Sequence, residues 1–156
     1  MSTSQQALTP VTRTHIPGKI EQACREKGLR MTGPRVTIAS ILDSADDHPD
    51  VFELHRRAAL IDEKISLSTV YRILRVLNKE GIIDRIDLNE GPARYEPTTE
   101  QPHDHLVNLD TGDFIEFRSK ELDKLYNKIA RKLGFKLVSH RLELYATPLD
   151  GESSNN

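Results

Sequence analysis

Three consecutive residues, His103, Asp104 and His105, form the densest group of metal-donor side chains in the chain, with Glu96 nine residues before His105 and Glu116 eleven after it. Imidazole nitrogen combined with carboxylate oxygen is the donor set that first-row divalent ions take. If the triplet lies on a β-strand, side chains alternate between faces, so His103 and His105 share one face and Asp104 takes the other. Histidines in such places also serve as surface residues or as hydrogen-bonded core residues, and the triplet alone does not separate these roles from ligation.

The chain that must position these residues has 156 residues, 37% hydrophobic and 29% charged, as expected for one ordinary globular domain or two small ones. No apolar run approaches the ~20 residues of a membrane-crossing helix, and the start has neither the basic segment nor the apolar stretch of a secretory leader, so a cytoplasmic protein is expected. A single cysteine, Cys24, excludes an intramolecular disulfide and a cysteine-rich zinc site. Any metal is therefore held by nitrogen and oxygen. The net charge of −2 gives no overall attraction to nucleic acid, but the charges are segregated. Residues 66–79 carry Arg72, Arg75 and Lys79 and no acid, residues 25–35 carry Arg25, Lys27, Arg30 and Arg35 against Glu26, and Asp43, Asp46, Asp47 and Asp50 surround His48.

The first 16 residues, rich in Ser, Thr and Gln, read as a flexible arm. A short helix follows over about 19–27, ended by Gly28. Thr32 caps a second, with Pro34 in its first turn, and Asp50 caps a third that runs to about Ile61 with Val51, Leu54, Ala58 and Ile61 at helical spacing. Ser66 or Ser68 opens a fourth, whose Val70, Ile73, Leu74 and Leu77 follow the i, i+3, i+4, i+7 pattern of a buried stripe. Gly81 ends it. Residues 82–88 and 93–96, separated by Asn89-Glu90-Gly91, read as a hairpin. Helices followed by a hairpin make the winged helix-turn-helix arrangement over residues 17–96.

Residues 97–102, with Pro97 and Pro102, read as a hinge. Beyond it, strands over 103–109 and 114–118, a helix over 119–133 with Leu122, Leu125, Ile129 and Leu133 inward, and a long strand over 135–146 make a small α/β module over 103–149, ahead of a polar tail over 150–156. The fold class expected is α+β. A module of this size buries little of its own surface, so pairing with a second copy is expected.

On the fourth helix, the face opposite the buried stripe carries Ser68, Arg72, Arg75 and Lys79, with Tyr71 at its edge. Arginine can bond guanine with two hydrogen bonds, tyrosine can lie on a thymine methyl, and lysine can reach phosphate. An isolated basic helix face is usually just solvated, but one that follows a helix and a turn and precedes a wing suits a major groove. Arg30 would enter the neighbouring minor groove. Taking a two-residue turn at Thr111-Gly112, His105 and Glu116 become diagonal neighbours on one face, with Asp104 on the other, so each face could hold its own site.

The sequence resembles the ferric uptake regulator family over about 19–149. The motifs that carry the resemblance are Gly28-Leu29-Arg30-Met31-Thr32 with Pro34-Arg35, Ser68-Thr69-Val70-Tyr71-Arg72, Arg94-Tyr95-Glu96, His103-Asp104-His105-Leu106, Ile115-Glu116-Phe117 and Leu142-Glu143-Leu144-Tyr145. The resemblance implies a homodimeric, metal-activated repressor of iron-responsive genes, binding a palindromic, AT-rich operator in double-stranded DNA. It implies a regulatory site of His48, Glu96, His105 and Glu116, one iron(II) or manganese(II) per subunit with zinc able to bind, base contacts from Tyr71 and Arg72, and a minor-groove contact from Arg30.

Three departures qualify it. Asn108 and Thr111 stand where many members carry Cys-x-x-Cys, so no cysteine-type structural zinc is expected. The family's second metal site corresponds to Pro102, Asp104, Asp123 and His140; Pro102 offers no donor, which leaves that site weak or absent unless His103 substitutes. Glutamates at 96 and 116 lean away from the peroxide-sensing branch, which tends to use the shorter acid. Two rival readings are a metalloenzyme, which needs an open coordination position and a nearby acid or base, and a metal-independent repressor in which the His/Glu cluster is structural. No Gly-rich phosphate loop or nucleophile motif supports the enzyme, and none is expected.

Overall fold

The computed structural model describes residues 8–10, 18–99 and 101–149. In chain order it contains a short strand β1 (Thr9–Pro10), helices α1 (Lys19–Glu26), α2 (Gly33–Ser44), α3 (Val51–Ile61) and α4 (Leu67–Lys79), strands β2 (Ile83–Ile86), β3 (Arg94–Pro97), β4 (Asp104–Asn108) and β5 (Phe114–Arg118), helix α5 (Lys120–Lys132) and strand β6 (Glu143–Ala146). The described residues form two compact units, one of 18–99 and one of 8–10 with 101–149. Among them, no helix is long and apolar enough to cross a membrane.

In the first unit, three helices start where a side chain takes up an otherwise unpaired amide. Thr32 Oγ1 accepts from the Arg35 amide at 3.4 Å, Asp50 Oδ1 from Glu53 at 2.8 Å and Ser66 Oγ from Thr69 at 3.2 Å. Helix α1 has no local cap; instead the Ile20 amide donates to both carboxylate oxygens of buried Asp43, 23 residues away on α2, at 3.2 Å. Val70, Ile73, Leu74 and Leu77 of α4 are buried with Ile38, Leu42, Leu54 and Ala58 in one core. Ile61, expected on that side, lies at the last turn of α3 and is 65% exposed. Gly81, at φ 70°, closes α4 by letting the Ile82 amide reach the Leu77 carbonyl at 2.9 Å, which turns the chain into β2.

Strands β2 and β3 pair antiparallel, with Asp84 opposite Glu96 and Ile83 opposite Pro97. Pro97, expected to open the hinge, is thus the last residue of β3, a position where its missing N–H costs no ladder bond. The Thr98 amide then donates to the Ile82 carbonyl at 3.1 Å and prolongs the pairing. Residue 100 lies outside the described residues.

The second unit is a four-stranded sheet in the order β1-β5-β4-β6, with β4 antiparallel to β5 and parallel to β6. Strand β1 pairs Thr9 with Arg118 and Pro10 with Phe117, so part of the expected arm is an edge strand. Residues 1–7 and 11–17 and the expected tail over 150–156 lie outside the described residues.

Three further expectations are corrected in this unit. The β4–β5 connection is longer than two residues: Val107 pairs with Phe114, the Gly112 amide reaches the Asn108 carbonyl at 2.7 Å, and Gly112 takes φ 77°. Helix α5, capped by Ser119, buries none of its residues, and Leu125, Ile129 and Leu133 are 48%, 45% and 70% exposed. The long strand over 135–146 is regular only in β6, because the ladder with β4 starts where the His105 amide meets the Leu142 carbonyl at 3.2 Å. Residues 135–142 lie outside any regular strand, and Phe135 and Val138 are 73% and 93% exposed.

Candidate metal centre

The first unit contributes His48 and Glu96, both buried, with His48 Nε2 2.6 Å from Glu96 Oε2. The turn carrying His48 is held on several sides. Arg57 of α3 grips the Asp47 carboxylate with two guanidinium nitrogens, which lowers the Asp47 pKa below the ordinary carboxylate value. The Tyr95 amide donates to the Pro49 carbonyl at 3.0 Å, and Arg94 Nη1 donates to the His48 carbonyl at 3.0 Å. His48 has φ 49°, the one non-glycine residue in the left-handed region among the described residues. That conformation costs a residue with a β-carbon about 1–2 kcal/mol and persists only where surrounding contacts impose it.

The second unit contributes His105 and Glu116, direct cross-strand partners rather than diagonal ones, because the longer turn shifts the register. His105 is buried and its ring meets Phe114 at 5.8 Å. His103 joins this pair. Its Nε2 is 3.6 Å from Glu116 Oε1, its ring stands edge-on to His105 at 4.8 Å, and its side chain is 4% exposed. From the sequence His103 has no settled role and stands only as a substitute for the donor missing at Pro102, although the period of two in His-x-His already puts it on the face of His105.

Of the residues expected at the second site, Asp104 and His140 come together, with His140 Nε2 3.0 Å from Asp104 Oδ1 and its ring 4.5 Å from Tyr126. Asp123 lies 3.8 Å from Arg118, and His103 is turned to Glu116. Where cysteines would hold zinc, Asn108 and Thr111 instead close the turn, accepting from the amides of Asp110 at 2.9 Å and Asp113 at 3.2 Å.

The donor set in both units suits a divalent first-row ion: a buried imidazole and a carboxylate in each, and no thiolate. On α4, Ser68, Tyr71, Arg72, Arg75 and Lys79 are all exposed, as is Arg30 in the loop before α2. The Arg30 backbone is fixed by Arg35, whose Nη1 donates to the Arg30 carbonyl at 2.6 Å. A 310 Å³ cavity between α4 and the wing is lined by Tyr71, Arg75, Arg85 and Tyr95, and burial pushes the Tyr95 hydroxyl pKa up.

Residues 26–145 match the model of the Ferric uptake regulator family. The chain belongs to that family. It is 51% identical over 139 residues to the "Ferric uptake regulation protein" of Rhizobium leguminosarum bv. viciae, covering 89% of this chain and 98% of the relative. A solved "zinc-bound manganese uptake regulator" is 52% identical with a TM-score of 0.70, covering 84% of this chain and 99% of that one. The ferric uptake regulator of Pseudomonas aeruginosa, solved with manganese, is 36% identical with a TM-score of 0.70, covering 82% and 96%. This Fur-family chain is therefore a metal-dependent transcriptional regulator rather than an enzyme. It has the family's α+β fold, an N-terminal helical DNA-binding part and a C-terminal α/β part, and like the family it is DNA-binding and dimeric.

Proposed function

We propose that His48 and Glu96 of the first unit and His105 and Glu116 of the second hold one divalent ion, iron(II) or manganese(II) in the cell, with zinc able to take the same place. The observation that carries this reading is a His–Glu pair in each unit of a Fur-family chain, buried at His48, Glu96 and His105 and half-buried at Glu116. His103, 3.6 Å from Glu116, is a further nitrogen donor for the same ion. When bound, the ion supplies one positive centre shared by donors from both units. The connection between the two units, beyond the β2–β3 pairing that Thr98 prolongs, acts as the hinge whose freedom is lost when those donors are engaged together, so that the two α4 helices of a dimer are presented to DNA as a pair. A near-complete switch needs a difference of about 5.5 kcal/mol in affinity between the two states. Four to five charge-bearing or imidazole donors drawn from two units are a sufficient source.

On the DNA side, Arg72 and Arg75 bond guanine edges, Tyr71 packs on a thymine methyl, Lys79 and Ser68 contact the backbone, and Arg30 enters the minor groove. The operator is a palindrome matching the two-fold dimer, AT-rich around its centre, and the protein acts in the cytoplasm on genes of iron or manganese homeostasis. The exposed apolar face of α5, with Leu125, Ile129 and Leu133, is covered by the second copy. Asp104 and His140 offer two donors of a weaker second site.

The reading is tested by binding to a candidate palindrome with iron(II), manganese(II), zinc(II) or chelator, alongside metal counting by native mass spectrometry. Metal-stimulated binding with one tightly held ion per subunit is expected, and it should vanish in Glu96→Ala and His105→Ala. Normal stimulation in both variants overturns the shared site. Binding indifferent to chelator would mark a metal-independent repressor. The names of the relatives divide between iron and manganese, so the comparison of those two ions at cellular concentrations selects the physiological one.

A further inference from the structure

We propose that Arg94 is a positioning residue that presets His48 for metal, a role that rests on the reading of His48 as a ligand. Three successive residues of β3 engage the turn before α3, each through a different group. Arg94 donates from Nη1 to the His48 carbonyl at 3.0 Å, the Tyr95 amide donates to the Pro49 carbonyl at 3.0 Å, and Glu96 Oε2 meets His48 Nε2 at 2.6 Å. Arg94 also forms a β-bridge with Asp50, the cap of α3. The backbone of His48 is thus tied to one residue of β3 while its ring is tied to the residue two further on, on the same face of the strand.

The His48 carbonyl that Arg94 holds belongs to a backbone in the left-handed region, φ 49°. That conformation is uncommon and costly for a residue with a β-carbon, and relaxing it would swing the imidazole away from Glu96. A neutral donor would make a weaker bond to the carbonyl than a charged one, and a lysine lacks the planar geometry that fixes direction. Arg94 acts on the ligand through the ligand's own backbone, and its removal should degrade the geometry of the site more than the fold.

The test titrates cobalt(II) into the full-length wild type, Arg94→Met, Arg94→Gln and His48→Ala, reading the dissociation constant and the d–d absorption bands, with urea unfolding of each metal-free protein. Arg94→Met is expected to weaken cobalt(II) binding about 10-fold or more, the effect typical of removing a group that orients a ligand, and to alter the d–d bands. The urea midpoint should stay near wild type. Arg94→Gln, too short to reach the carbonyl, should behave alike and decides the matter if the Met variant does not fold. Wild-type affinity and bands in the folded Arg94 variant, with binding lost in His48→Ala, overturn the role of Arg94 and leave the metal site standing. Wild-type binding in His48→Ala removes His48 from the site and this inference with it.

Discussion

His48 Nε2 and Glu96 Oε2, 48 residues apart in sequence, lie 2.6 Å from each other with both side chains buried. The contact joins two buried polar groups, so removing one of them takes a close polar partner from the other. Glu96→Ala should therefore lower the metal-free stability by about 0.5–1.5 kcal/mol, the net worth of one lost hydrogen bond. Glu96→Gln, which keeps an acceptor, should lose less. Urea titration of the metal-free proteins checks both, and equal midpoints for wild type and Glu96→Ala would deny the pair any structural role.

The apolar face of α5 should set the oligomeric state. Val107 and Phe117 are the buried apolar residues of the second unit among those described, while Leu125, Ile129 and Leu133 stand 48%, 45% and 70% exposed. So small a core leaves the unit in need of a partner. Leu125→Asp combined with Ile129→Asp should yield monomers in sedimentation, with loss of operator binding because two half-sites are no longer read together. A dimer of unchanged stability would place the interface elsewhere.

The basic face of α4 should divide into reading and anchoring residues. Arg72→Ala should cost about 1–3 kcal/mol on the preferred operator and relax the preference at one base pair. Lys79→Ala should weaken all DNA sequences alike and reduce the slope of log affinity against log salt by about one. Binding measured at several salt concentrations on matched and scrambled duplexes separates the two; the same loss on both duplexes in Arg72→Ala would rule out base reading there.

The acid limb of the stability curve should contain a contribution from Glu53. Hydrogen bonds from Arg56, ahead of those from Arg57 and against the cost of desolvation, lower its carboxyl from 4.5 to about 2. Since the folded value is the lower one, the stabilisation is complete above 4.5 and disappears as the pH falls toward 2. With a side chain 32% exposed, the group is screened by solvent and contributes about 0.2–1 kcal/mol. Thermal unfolding of wild type and Glu53→Gln should show a gap near neutrality that narrows through this range; a constant gap would remove Glu53 from the pH dependence.

Much of the first unit was legible without coordinates because its signals are local. Thr32, Asp50 and Ser66 cap the helices that follow them, the stripe Val70, Ile73, Leu74 and Leu77 is buried, and the hairpin lies where two apolar runs flank a turn. The second unit was harder for a physical reason. Its apolar residues are those of a protein that pairs, so in α5 and over 135–142 the pattern marks a face to be covered by something other than the same chain.

The sequence by itself determined which residue types could bind metal, which strand face His103 and His105 share, and which helix carries a basic face, because side-chain chemistry and the periods of helix and strand are local properties. Only the tertiary structure decided that His105 faces Glu116 squarely, that His103 joins them, that Asp43 caps a helix 23 residues away, and that Glu96 meets His48 beside the grip of Arg94. Those relationships depend on turn closure and strand register, where one residue more or less in a loop changes every partner, and no spacing along the chain encodes that choice.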